Sequence, residues 1–197
     1  AGAASVLFAA GNKFYWSLLG GGLMGVLLAL SMQGYQSTRI LVWKDPWAYK
    51  QEGGYQIIQS LYAIGSGGLL GLGLGKSRQK FLYLPEPEND FIFAIVCEEL
   101  GYIGAALVIL LFVLLVVRGY WLAVHARDRF GALLGVGITT LLAAQVFLNI
   151  GVVTNLIPNT GISLPFFSYG GTALMIQLAQ KGVILSVSRQ IPAPKKG

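Results

Sequence analysis

Apolar positions along the chain fall in long, nearly unbroken blocks rather than in the alternating or three-to-four-residue patterns of half-buried elements. A membrane-spanning helix needs about 20 mostly apolar residues, and four blocks meet that length: 14–33, 91–117, 131–153 and 170–188. Tyr15 and Trp16 stand near one end of the first, where interfacial aromatics belong. A fifth stretch, 55–75, is uncharged but is interrupted by Gln56, Gln59 and Ser60, then by Gly65, Gly67, Gly68, Gly71, Gly73 and Gly75. Each glycine costs about 1 kcal/mol in a helix interior. The stretch therefore reads as a short amphipathic helix followed by a Gly-rich turn, lying at or dipping into the membrane interface. The pattern predicts an all-α polytopic membrane protein with four transmembrane helices and a large extracellular loop, 34–90, containing short interfacial helices.

Composition narrows the class. Of 197 residues, 55% are hydrophobic and only 11% charged, under half the charged share usual for a soluble domain. A soluble enzyme, an ordinary secreted domain and a disordered chain are all excluded on that ground. The single cysteine, Cys97, permits neither an intrachain disulfide nor a cysteine metal cluster. The Gly21-x-x-x-Gly25 and Gly131-x-x-x-Gly135 spacings suit close helix approach, although a chain with 27 glycines also produces them by chance. The opening Ala-Gly-Ala-Ala has neither Met nor a leader pattern, so residues 1–197 are expected to be one membrane-domain fragment of a longer chain.

Sidedness rests on charge in short loops. With four spans, seven cations (Lys13, Arg118, Arg127, Arg129, Arg189, Lys195, Lys196) face six (Arg39, Lys44, Lys50, Lys76, Arg78, Lys80). A fifth span would give nine against four. The six, however, share one long loop with Asp45, Glu52, Glu86, Glu88 and Asp90, and long loops cross the membrane largely regardless of charge. The short 118–129 loop and the Lys195-Lys196 tail then mark the cytoplasmic side, with the C-terminus inside and 34–90 outside.

Several familiar patterns fail. Gly75-Lys76-Ser77 lacks the glycine a phosphate-binding loop needs five positions earlier, where Leu70 stands, and the same leucine breaks a dinucleotide fingerprint begun by Gly65 and Gly67. His125 is the sole histidine, in a basic loop. Ser168 has no histidine or acid nearby in sequence to activate it as a nucleophile.

Three constellations survive. Lys76, Arg78 and Lys80 put three cations in five residues beside the membrane, suiting either anionic headgroups or a diphosphate. In Leu84-Pro85-Glu86-Pro87-Glu88-Asn89-Asp90-Phe91 the prolines enforce an extended approach, and Asn89 or Asp90 can cap the helix that follows. Asp90 is thus either a cap alone or an acid held for chemistry at the membrane boundary. Polar residues also interrupt the spans: Glu98, Glu99, Gln145, Asn149, Gln177, Gln180 and Lys181. Such residues face the bundle interior; an ion pair of Lys181 with Glu98 or Glu99 is expected from their similar depths.

Five runs carry a resemblance: Gln79-Lys80-Phe81-Leu82-Tyr83-Leu84-Pro85-Glu86, Asp90-Phe91-Ile92-Phe93, Glu98-Glu99-Leu100-Gly101, Asn149-Ile150-Gly151-Val152-Val153-Thr154 and Gly161-Ile162-Ser163-Leu164-Pro165-Phe166-Phe167-Ser168-Tyr169-Gly170-Gly171. Together with Gly53-Gly54-Tyr55-Gln56-Ile57-Ile58-Gln59-Ser60, they resemble the SEDS family (FtsW, RodA, SpoVE), nearest its FtsW/SpoVE branch. The resemblance implies a bacterial peptidoglycan glycosyltransferase of ten transmembrane helices in the plasma (inner) membrane, of which this chain supplies the last four. It implies polymerisation of lipid II into glycan strands for division, shape or spore cortex. Implied partners are lipid II, the growing glycan strand, a class B penicillin-binding protein and other divisome or elongasome membrane proteins, with no nucleic acid. It also implies a catalytic role for Asp90. Departures from the family pattern are Glu88-Asn89 before Asp90, Asn155 where Gly is usual, Asn159 where an apolar residue is common, and Lys181.

On this reading Asp90 is a base, and Lys80, Arg78 and Lys76 face a diphosphate. A divalent cation is compatible with that chemistry, though no dedicated ligand cluster is visible in the sequence. The rival readings are a lipid II flippase, whose expected signature is mid-membrane polar residues such as Glu98, Glu99 and Lys181, and a non-catalytic scaffold for a penicillin-binding protein. The topology is open to a direct test. A cysteine at Ser77 in a Cys97→Ala background is expected to react with an impermeant reagent from outside; labelling only from the cytoplasmic side overturns the arrangement.

Overall fold

Helix dominates because an apolar chain in lipid must satisfy its backbone N–H and C=O groups internally. A computed structural model describes residues 26, 34–77 and 90–190; the expected first span and Gly21-x-x-x-Gly25 lie outside the described residues. Among the described residues the helices are α1 (Gly34–Lys44), α2 (Tyr55–Ser66), α3 (Ile92–Val124), α4 (Arg129–Val153) and α5 (Gly171–Arg189). A short π-helical turn, Lys50–Gly54, precedes α2. No strand occurs among the described residues. α3 and α4 are long and apolar enough to cross a membrane. α5 follows the expected fourth block to within a residue at each end, but Gln177, Gln180 and Lys181 leave it less apolar.

Contacts divide the chain into two units, one of residues 1–24, 111–144 and 171–197, the other of 25–110 and 145–170. In the first, small residues let helices meet. A Cβ at Gly135 would lie 3.0 Å from Ala123 Cβ, and one at Gly131 would lie 3.3 Å from Val187 of α5. The Gly131-x-x-x-Gly135 spacing therefore serves two different neighbours. Asp128 caps α4, its carboxylate accepting from Gly131 N at 2.9 Å. Tyr120 and Thr140 hydroxyls meet at 2.8 Å between α3 and α4. Near the end of α3, Arg118 lies over the Trp121 ring at 4.3 Å, and His125 stacks on that ring at 4.4 Å.

The second unit departs from the expectation of one continuous helix over 91–117. Gly101 adopts φ 68°, ψ −173°, a conformation essentially confined to glycine. It separates residues 92–100 from 102–124. The second piece alone is about 34 Å long at 1.5 Å per residue, enough for a hydrocarbon core of about 30 Å. Glu98 and Glu99 thus precede the break rather than interrupting a continuous span.

The backbone groups released by the break find partners in the turn after α2. Leu72 N donates to Glu98 O and Gly73 N to Glu99 O, each at 3.0 Å; Tyr102 N donates to Gly68 O at 2.9 Å and Ile103 N to Leu69 O at 3.3 Å. Such proximity requires glycine on both sides. A Cβ at Gly67 would collide with Cys97 O, and one at Gly71 with Glu99 O; one at Gly101 would meet Gly71 N and Leu69 O. The 55–75 stretch is thus a helix and a Gly-rich turn, and the turn closes a broken helix. α2 itself is fastened by Ser60, which is fully buried and donates towards Ile57 O at 2.8 Å and Val153 O at 3.2 Å.

Gly101→Ala is expected to destabilise the protein by about 2 kcal/mol or more, the sum of left-handed strain and overpacking. Gly182 on α5 has open space around it, so Gly182→Ala should be neutral or stabilising by up to about 1 kcal/mol. Thermal melts of the purified protein in detergent compare the two.

Candidate active site at the start of α3

Asp90 sits two residues before α3, half-buried, with Phe91 buried behind it. Its carboxylate faces the loop between α4 and α5: a Cβ added to Gly161 would lie 3.6 Å from Asp90 Oδ2. Gly161 has φ 67° and so presents bare backbone to the acid. The loop's shape is set locally. Gly161 N donates to Asn159 Oδ1 at 3.0 Å, and Leu164 N to Ser168 Oγ at 2.7 Å. Ser168 is thus a loop brace, consistent with its lack of a nucleophile's partners. Asn149, on the last turns of α4 and 1% exposed, donates through Nδ2 to both Asp90 O and Ile162 O, each at 2.8 Å.

Cations meet this centre unevenly. Arg39 of α1 donates through Nη1 to Asn159 O at 2.9 Å, which places a guanidinium on the same loop two residues from Gly161. Lys76 is exposed at the end of the Gly-rich turn, where its N–H bonds to Gly73 O at 3.1 Å. Arg78 and Lys80 lie outside the described residues. Next to Lys76, Ser77 is 2% exposed and donates through Oγ to Glu98 Oε2 at 2.5 Å. Glu98 is itself 1% exposed. The exposed Lys76 accordingly replaces Ser77 as the position for cysteine labelling. Lys181 is half-buried on α5, in the other unit, and its expected ion pair with Glu98 or Glu99 stays an expectation. Among the described residues no three His, Cys, Asp or Glu side chains group as a metal site.

The sequence matches the FTSW_RODA_SPOVE family, described as "Cell cycle protein", over residues 1–192. This chain belongs to the FtsW/RodA/SpoVE family. Stage V sporulation protein E of Bacillus subtilis is 51% identical over 189 residues, covering 93% of this chain and 51% of that protein. The probable peptidoglycan glycosyltransferase FtsW of Geobacter sp. (strain M18) is 44% identical over 189 residues, covering 94% and 51%. A solved peptidoglycan synthase complex, described as coordinating polymerization and crosslinking, superposes with a TM-score of 0.71 at 30% identity, over 98% of this chain and 54% of the other. An Asp-to-Ala variant of the Thermus thermophilus rod shape determining protein RodA superposes at 0.53, with 34% identity, over 68% and 41%. The chain spans about half the length of these relatives.

Two departures from the FtsW/RodA/SpoVE pattern now have physical reasons. Asn155 has φ 57° and ends α4 in the left-handed conformation, with Leu156 N bonding back to Gly151 O at 2.8 Å. Glycine suits that position best, and asparagine is a common substitute. Trp43 Nε1 also donates to Asn155 O at 3.1 Å, holding α1 to the end of α4. Asn159 builds the Gly161 turn through its side-chain Oδ1, which an apolar side chain would not supply, whereas the Arg39 contact is to its backbone carbonyl. Sequence reasoning missed Arg39 and the role of Asn149. Arg39 figured only as one of six loop cations, and Asn149 only as a buried polar group, because neither link is written in spacing.

Asn155→Gly is expected to leave stability within about 1 kcal/mol. The backbone conformation is kept, the 3.4 Å side-chain bond to Trp43 O is weak, and the buried, unpartnered Oδ1 is removed. Asn155→Val should cost about 2 kcal/mol from left-handed strain. Melting curves of the two variants distinguish conformational preference from side-chain bonding.

Proposed function

We propose that the complete protein is a membrane-embedded peptidoglycan glycosyltransferase that polymerises lipid II, with Asp90 as its general base. The observation that carries this reading is the placement of Asp90: a carboxylate before a helix N-terminus, facing the bare backbone of Gly161. The names of the relatives supply the reaction class. An acceptor sugar hydroxyl attacks the donor's anomeric carbon as the bond from that carbon to the diphosphate oxygen breaks. The hydroxyl proton passes to the Asp90 carboxylate and then to solvent, and the diphosphate departs with the bonding electrons. The α3 N-terminus favours the ionised acid, the form a base requires. Lys76, Arg78 and Lys80 stabilise the leaving charge, and Arg39 adds a fourth cation on the Gly161 side.

In this reading the 34–90 loop is extracellular or periplasmic and the C-terminus cytoplasmic, in the plasma membrane of a bacterium. Four helices of this chain span it. The glycan product passes to a class B penicillin-binding protein, a reading supported by the synthase complex that this fold matches. The break in α3 bears on the flippase alternative, since discontinuous helices hold substrates in many transporters. Here four backbone bonds already fill the break, which favours a closed structural joint over an open carrier site.

Asp90→Asn keeps side-chain size and capping ability while removing proton acceptance. In the complete protein with its transpeptidase partner, glycan synthesis from purified lipid II is expected to fall about 10²-fold or more. A folded, partner-bound Asp90→Asn variant polymerising at near wild-type rate overturns the assignment and moves transport ahead.

A further inference from the structure

The Asn149 amide bonds to the backbone on both sides of the Asp90 carboxylate. One Nδ2 hydrogen goes to the carbonyl of Asp90 itself. The other goes to the carbonyl of Ile162, next to the Gly161 that the carboxylate faces. Both bonds are 2.8 Å long and the side chain is 1% exposed, so water does not compete for the donor. At the same time Asn149 Oδ1 is buried with no hydrogen-bond partner among the described residues. The side chain is therefore used as a double donor alone, and the two carbonyls fix which way its amide points. Burying an amide oxygen without a partner is unfavourable, so the position is not explained by packing economy. What the arrangement fixes is the distance between the backbone carrying the acid and the loop opposite it.

We infer that Asn149 is the positioning residue for Asp90: its amide ties the Asp90 peptide to the 159–162 loop and so sets where the carboxylate meets an acceptor hydroxyl. Asn149 touches no reacting atom and acts through Asp90. The inference rests on the catalytic reading of Asp90. Geometric control of this kind affects the reacting configuration more than substrate capture, so its loss should appear in kcat while KM for lipid II changes little. It also predicts an unusual ranking of substitutions. Asn149→Leu preserves bulk but supplies no donor, Asn149→Ser retains one donor in a smaller volume, and Asn149→Ala has none. Donor count ranks Ser above Leu and Ala, whereas simple packing ranks Leu first.

The test is steady-state glycan synthesis from lipid II by the full-length protein with its partner, on all three variants and on Asp90→Asn in parallel. Melting and partner co-purification report folding. The expected result is a 10- to 100-fold loss of kcat for Asn149→Ala and Asn149→Leu, a smaller loss for Asn149→Ser, and KM within about threefold throughout. In the residual activity of Asp90→Asn, adding Asn149→Ala should cost little more, because the positioned group is already gone. Asn149→Leu nearest to wild type, or kcat unchanged in Asn149→Ala while Asp90→Asn is inactive, overturns the positioning role alone. Near wild-type activity of Asp90→Asn overturns the catalytic reading beneath it. Should Asn149→Leu not fold, Asn149→Ser against Asn149→Ala still decides between donor count and bulk.

Discussion

A buried backbone polar group must have a partner, and that obligation organises the unit around Asp90. Where a helix stops or breaks in that unit, the released N–H and C=O groups are met by a sequence-distant element or by a local turn. The break at Gly101 is filled by residues 68–73, the end of α4 by its own left-handed turn, and the start of α3 by the Asn149 amide. The candidate site lies at one of these repairs, the start of α3, where the Asn149 amide meets the Asp90 carbonyl. Its geometry is consequently held by hydrogen bonds to main chain more than by side-chain packing. This is a sound basis for a site, because backbone partners have few alternative positions.

The gross architecture was readable in the sequence because block length and glycine content are local properties. The apolar runs gave α4 and α5 within a few residues, and the glycines of 67–75 identified a turn rather than a span. The break in α3 was not readable in the same way. Glu98-Glu99-Leu100-Gly101 resembles an ordinary helical stretch with one glycine, and glycine alone does not say whether φ will be positive. That is decided by Gly67 and Gly71, some thirty residues earlier, whose missing side chains admit the second chain.

Asp90 stands out as a site candidate through its cap-like setting and the family resemblance, and Lys76 through charge clustering. Asn149 and Arg39 do not. Both act over large separations, 59 residues from Asn149 to Asp90 and 120 from Arg39 to Asn159, where spacing carries no signal. Glu98 is an intermediate case. Burial of an acid within an apolar block was foreseeable, but its serine partner on the Gly-rich turn was not.

The joint at Gly101 also constrains the order of assembly. Residues 102–124 complete their own helical bonds and can enter a bilayer as a finished rod. The four bonds across the break connect segments 26 to 34 residues apart in sequence, so they form only once both segments are in place. Until then Leu72, Gly73, Tyr102 and Ile103 carry unpaired amides. The most exposed leucines of the turn, Leu69, Leu70 and Leu74, keep their side chains out of this joint. Natural variation in this segment should thus be inverted from the usual pattern, with the smallest residues fixed and the bulkiest ones drifting.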